Sequence, residues 1–136
     1  MTQHHNTLLP EGWNRPKGYA NGISTTITAN TTMVFVGGMV GWDEHEVFHS
    51  DDFVDQFRQT LLNTKAILAE GGASPEHMVR MTWFITDRDE YLANIRDVGT
   101  TYREIMGKNF PAMAVVIVSG LIEKRAKVEI ETTAVV

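Results

Sequence analysis

Residues 109–136 constrain the fold more than any other stretch, because they read as two extended runs joined by a charged turn at 123–125. Side chains alternate along a strand. In the first run both alternating faces are apolar, which predicts a strand covered on both sides. In the second run Val128 and Ile130 share one face and Glu129 lies on the other. Such an ending requires a sheet with at least one buried face.

Earlier strands are predicted from runs of β-branched residues whose side chains alternate between two faces. Residues 23–29 predict a strand, and a turn at 30–31 predicts a hairpin that returns along 33–36. Residues 78–86 predict a third long strand. The glycines that follow the returning strand allow backbone to approach a ligand closely.

Two helices complete the pattern. The first is predicted from about residue 52 to 70, with Ser50 or Asp51 as its N-terminal cap. Its apolar stripe is Phe53, Phe57, Leu61, Thr64 and Leu68. The second is predicted from residue 87 to about 106. The order is β-β-α-β-α-β-β, an α+β domain in which two helices cover one face of a mixed sheet.

Length and charge limit the possible functions. The 136 residues predict a single domain, 1–136, in which residues 1–17 form a flexible N-terminal arm. The net charge of -5 argues against nucleic acid as a partner, since nucleic-acid binding needs a basic face. There is no cysteine, no long apolar run for a membrane and no signal-peptide pattern, so we expect a cytoplasmic protein.

Several strings, taken as an ordered set, resemble one family. The chain resembles the RidA family, also called YjgF/UK114 and, under an older label, endoribonuclease L-PSP. The resemblance covers nearly the whole chain from residue 18 onward. Its strings are GYANG at 18–22, VGGMVGWD at 36–43, QFRQTLLNTKAILAEGGAS at 56–74, MTWFITDRDEYL at 81–92, FPAM at 110–113 and KVEIETTAV at 127–135.

The resemblance implies a chorismate-mutase-like fold and a homotrimer with three clefts between its subunits. It also implies hydrolysis of reactive enamines and imines to ketones and ammonia. The expected partners are therefore other copies of the chain and a small-molecule metabolite. We expect no cofactor and no metal.

The sequence departs from the family where the chemistry is expected. The arginine that follows Pro-Ala in deaminating members, and that holds the substrate carboxylate, is Met113 here, and the cysteine of some members is Val115. The family's Ser-Gly-Gln is Gly37-Gly38-Met39. Its helical asparagine has no certain counterpart, with Gly99 or Asn94 nearest. Tyr19 and Glu129 do carry over.

These residues define a predicted site. Glu129 would position a water molecule and pass a proton to the leaving amine, while Tyr19 and the backbone of residues 37–38 would bind polar groups. An apolar floor of Met113 and Val115 would share the cleft with Glu129 and favour a larger or less acidic substrate. Met39 and Trp42 complete the predicted substrate-binding residues.

Each of these assignments has an alternative on sequence alone. Glu129 also fits a solvated strand residue, and Tyr19 a packing anchor in a glycine-rich loop. The amides of Gly37 and Gly38 could receive a developing negative charge, or the two glycines could only permit a β-bulge. Trp42 also fits a core or interface residue.

The string His45-Glu46-Val47-Phe48-His49 matches the H-E-x-x-H pattern of zinc peptidases. That pattern needs a helix through the motif and a third ligand. Here it lies between a glycine-rich strand end and a helix cap, so we interpret it as a charged surface loop rather than a metal site.

Two other functions remain open besides the hydrolase. Met113 favours a non-catalytic module that binds a small molecule or acts as a chaperone, because it removes the best-defined catalytic contact. A ribonuclease or translation inhibitor corresponds to the older family label. The acidic charge and the lack of a basic, aromatic stripe weigh against that activity.

Overall fold

The computed structural model describes residues 5–136. Within them, six strands and three α-helices form a mixed α+β architecture, as the sequence predicts. In chain order the elements are β1 (His5–Leu8), β2 (Gly22–Thr25), β3 (Met33–Val40), α1 (Phe53–Glu70), β4 (Met78–Ile85), α2 (Arg88–Ala93), α3 (Ile95–Met106), β5 (Ala112–Ile117) and β6 (Val128–Val135).

Four strands form the main sheet in the order β3-β6-β4-β5. The C-terminal strand β6 lies between β3 and β4 and is antiparallel to both, while β5 runs parallel to β4. Helices α1 and α3 pack on one face of this sheet. The predicted stripe of α1 is fully buried there, with Phe57 and Leu61 against Met81 and Ile130. Burial of each such side chain stabilises the fold by roughly 1.5–3 kcal/mol.

The predicted hairpin between residues 23–29 and 33–36 is wrong. Strand β2 pairs with β1, which the sequence pattern did not predict and which lies within the expected arm. Strand β3 pairs instead with β6. A local alternation of side chains shows that a strand exists, but its partner is chosen by packing across the whole chain. Residues 1–4 of the predicted arm lie outside the described residues.

The helices also differ in detail from their predictions. The cap of α1 is Asp52, whose carboxylate accepts from the Asp55 amide at 3.0 Å, rather than Ser50 or Asp51. The second predicted helix is divided at Asn94, whose side chain donates to the Glu90 carbonyl at 2.8 Å. An asparagine amide competes with the helical hydrogen bonds in this way, so the predicted helix is interrupted and α3 begins at Ile95.

A buried glutamine connects α1 to the start of β6. The Gln56 amide nitrogen donates to the carbonyls of Ser50 at 3.0 Å and Arg125 at 2.9 Å. Its side-chain oxygen accepts from the Lys127 amide at 2.9 Å. These three bonds hold the strand that carries Glu129 in register with the helix.

The second face of the sheet is open in the single chain. Phe35 is 69% exposed and Val116 is 37% exposed on this face. The sequence predicted that β5 is covered on both sides, but in one chain alone its second side is exposed. No helix in residues 5–136 has both the length and the apolar character that crossing a bilayer requires.

Candidate functional site

A cleft of about 550 Å³ lies between α3, the beginning of β5 and the loop that precedes β2. Its volume is in the range of pockets that hold small metabolites. The walls are rich in aromatic side chains, which are Tyr19, Trp83, Tyr91, Tyr102 and Phe110.

Helix α3 supplies one wall through a single stripe of its surface. Ile95, Gly99 and Arg103 recur at intervals of four residues, and all three line the cleft. Val98 and Tyr102 lie on the adjacent stripe and continue into the core. One side of α3 therefore lines the cleft from Ile95 to Arg103.

The aromatic wall is a packed cluster rather than a set of isolated rings. Tyr102 stacks on Phe110 with ring centroids 5.5 Å apart, and its hydroxyl donates to the Asn109 carbonyl. Trp83 packs 5.9 Å from Tyr102. Burial raises the pKa of the Tyr102 and Tyr91 phenols, which moves their ionisation still further above pH 7.

The charged residues of the cleft are Lys17 and Arg103, and no aspartate or glutamate of the described chain lines it. Neither cation forms an ion pair within residues 5–136. The Arg103 guanidinium lies over Gly99, where its Nη1 is 3.3 Å from the place that a β-carbon would occupy. The electrostatic character of the cleft is therefore cationic.

Three predicted site residues meet in this cleft, namely Tyr19, Met113 and Val115. Met113 pairs with Met81 and Val115 with Trp83 across β4 and β5, so their side chains face the helices. Tyr19 is 42% exposed at the mouth.

Glu129 does not share the cleft with these residues within one chain. It pairs with Phe84, whereas its neighbour Ile130 pairs with the buried Trp83, so the carboxylate is on the open face of the sheet. There it lies over Gly38, since a β-carbon on that glycine would be 2.6 Å from Glu129 Oε2. The sequence-based expectation places their common cleft between subunits; within one chain the sheet separates the two faces.

The remaining predicted residues also lie away from the cleft. The register of β3 against β6 shifts between Val36 and Met39, so the two glycines between them occupy a bulge. Gly37 is exposed, and Met39 packs against the core. Trp42 contacts Phe48, with ring centroids 5.6 Å apart.

The H-E-x-x-H string forms a turn rather than a helix. The Asp43 carboxylate accepts from the amides of His45 and Val47, and Glu46 has a φ of 62°. The His49 ring at 2.6 Å from Asp43, with the Val47 amide, lowers the pKa of Asp43 to about 2. Across residues 5–136 no three acidic or histidine side chains converge as metal ligands.

Sequence reasoning missed the residues that give the cleft its charge and its aromatic wall, above all Lys17, Tyr91 and Arg103. The recurrence of Ile95, Gly99 and Arg103 at four-residue spacing was the available signal. It indicates one helical face but does not show whether that face is solvated or lines a cavity.

The family model for endoribonuclease L-PSP matches residues 14–136. The chain belongs to this family, the RidA or YjgF/UK114 family. Over 104 residues it is 34% identical to the Escherichia coli protein named "Putative reactive intermediate deaminase TdcF". The alignment covers 76% of this chain and 79% of the relative. A RutC family protein from Haemophilus influenzae is 36% identical over 84 residues, or 62% of this chain and 64% of that one.

Solved structures of RidA-family proteins have the same fold. A Rid-family protein of unknown function from Yersinia pestis superposes with a TM-score of 0.85 at 22% identity, covering 98% of this chain and all of that one. The E. coli TdcF structure with bound serine gives a TM-score of 0.66 at 28% identity, covering 90% of this chain and 91% of that one.

Proposed function

We propose that this RidA-family protein is a cytoplasmic homotrimer that hydrolyses a reactive enamine or imine to a ketone and ammonia. The observation that carries the proposal is the meeting of Tyr19, Met113 and Val115 in one metabolite-sized cleft. These are positions that the resemblance assigns to the family's site. TdcF, a relative at 34% identity, carries the name of a reactive intermediate deaminase.

The proposed catalytic carboxylate comes from a second copy of the chain. Glu129 lies on the open face of the sheet, opposite the cleft of its own chain. The same face exposes Phe35 and Val116, and exposed apolar side chains on an uncovered sheet favour burial against another subunit. A trimer with clefts between its subunits would bring Glu129 of one copy to the cleft of the next.

The chemistry requires only a positioned water molecule and a proton carrier. Water adds to the carbon of the protonated imine, and the Glu129 carboxylate accepts the proton that this water loses. The resulting carbinolamine breaks its carbon–nitrogen bond after the same carboxyl returns the proton to nitrogen. As ammonia leaves, the carbinolamine hydroxyl gives its proton to the carboxylate and its oxygen, which came from water, becomes the carbonyl oxygen. The carboxyl then releases this proton to solvent. The protonated phenols of Tyr91 and Tyr102 add polar character to a largely aromatic wall without adding negative charge.

The experiment follows ketone release from imines that an amino-acid oxidase generates in place from alanine, leucine and phenylalanine. The proposal expects the purified protein to accelerate ketone release from at least one imine above the spontaneous rate. Equal rates with and without protein for all three imines would contradict deamination.

A non-catalytic binding module is the second candidate, and a specific observation favours it. Met113 replaces the arginine that the resemblance associates with deamination, and within residues 5–136 no carboxylate lines the cleft. Saturable thermal stabilisation by a ligand, without any acceleration, would identify this function.

The open sheet face provides a test of the trimer. Phe35→Asp should convert the trimer to monomers, because an aspartate buried between subunits loses its hydration. Light scattering at several protein concentrations measures the mass. Ile122→Asp is the control, since Ile122 is 97% exposed on a loop. A wild-type monomer, or a Phe35→Asp trimer as stable as the control, would rule out this interface.

A further inference from the structure

We infer that the cleft binds small anions that carry an aromatic or similarly bulky apolar group, and that Arg103 anchors the negative charge. The inference rests on the proposed function, since it names the substrate class of the same cleft. It assigns a role to a residue on α3 that neither the sequence pattern nor the resemblance indicated, and it replaces the expectation of a less acidic substrate that followed from Met113.

The first support is that the Arg103 guanidinium lines the cleft without an ion pair within residues 5–136. Of the six other arginines, Arg58 pairs with Glu104 at 2.7 Å and Arg125 with Asp51 at 2.9 Å, while the remaining four form no ion pair within residues 5–136. Arg103 has no such partner within residues 5–136, although the chain carries a net charge of -5. An arginine at the wall of a cleft, without an acid partner among residues 5–136, is suited to bind a carboxylate from solution.

The second support is the glycine beneath it. Gly99 lies within α3, where a glycine is less favourable than alanine. Its missing side chain leaves the space that the Arg103 guanidinium occupies, with Nη1 3.3 Å from the β-carbon position. The head group therefore lies along the helix surface at the edge of the cleft, where Arg103 is also exposed to solvent. Lys17, in the loop before β2, adds a second positive charge to the lining.

The third support is the apolar surface that accompanies the charge. Met113 and Val115 form the floor on β5, and the rings of Tyr102 and Phe110 stack beside it. An anion bound at Arg103 that lacks an apolar group would leave this surface exposed to water. An aromatic or branched group would cover it and gain hydrophobic free energy in proportion to the area buried.

Calorimetric titration of the full-length protein with three probes tests the inference. Phenylacetate carries both the charge and the ring, phenylacetamide carries only the ring, and acetate carries only the charge. We expect phenylacetate to bind about tenfold to a hundredfold more tightly than either of the others. Arg103→Gln should abolish the preference for phenylacetate over phenylacetamide. Arg96→Gln is the matched control, because Arg96 is an exposed arginine on the same helix outside the lining and should keep it.

Three results would overturn the inference: equal binding of the acid and the amide, an unchanged preference in Arg103→Gln, or no saturable binding of phenylacetate at millimolar concentration. Thermal unfolding of Arg103→Gln confirms that the variant is folded. The outcome is independent of turnover, because binding is measured without a reaction. Ketone release that persists at the wild-type kcat/KM in Arg103→Gln refutes the anchor but not deamination, whereas anion binding without ketone release refutes deamination but not the anchor.

Discussion

Replacing Gln56 by leucine should lower the free energy of unfolding by about 3–5 kcal/mol. Gln56 is buried, and its side chain makes three hydrogen bonds, to the carbonyls of Ser50 and Arg125 and from the amide of Lys127. Leucine fills similar space but leaves these backbone groups without their partner. Each buried polar group that loses its partner costs roughly 1–3 kcal/mol, and partial access of water keeps the sum below the maximum. Urea denaturation measures the difference.

Gln59→Leu is the matched control for this prediction. Gln59 lies on the same helix, and its amide donates to Asn63 within that helix at 2.8 Å. Its replacement should cost less than about 1 kcal/mol, because one partly solvated bond is lost. If both variants unfold at the same urea concentration, Gln56 does not hold β6 to α1 in the manner described.

Glu129→Gln should lower the rate of ketone release by about a hundredfold to ten-thousandfold, which is the contribution typical of a general base. Glutamine keeps the size of the side chain over Gly38 but cannot accept a proton from water. Ligand binding should be largely preserved, because glutamine keeps the size and a hydrogen-bonding oxygen of the side chain that the next copy contributes to the cleft. Steady-state kinetics and calorimetry on the same preparation separate the two effects.

Glu131→Gln provides the comparison, because Glu131 lies two residues along β6 on the same open face and is exposed. It should retain the wild-type rate. Were Glu129→Gln as active as Glu131→Gln, the carboxylate would have no part in the chemistry, and a protonated phenol or an ordered water would have to supply the proton.

The fold could be predicted from sequence where the signal is local. The apolar stripe of α1 predicted both its length and its buried face, because helical periodicity is a direct consequence of one-sided burial. The alternation in β6 likewise placed Val128 and Ile130 inward. Strand partners were not predictable, since β3 finds β6 nearly a hundred positions away and nothing local specifies that pairing.

The site was predicted only in part, for a similar reason. Tyr19 and Met113 were placed by ordered strings that resemble the family, and they do line the cleft. Glu129 was expected beside Met113 in a cleft between subunits, and this stays a prediction, since within one chain the two side chains lie on opposite faces of the sheet. Arg103 was missed because its role depends on Gly99 beneath it and on a helix that restarts at Asn94.

The proposed deamination requires a cleft built from one copy of the chain and a carboxylate contributed by the next. The most direct measurement co-expresses two variants that are each inactive alone, Glu129→Gln and Gly99→Trp, the second of which fills the cleft with an indole ring. In a randomly mixed trimer, about a quarter of the clefts combine an open cleft from the first variant with Glu129 from the second. We expect ketone release near that fraction of the wild-type rate. A mixed trimer no more active than either variant alone would contradict a cleft that is shared between subunits.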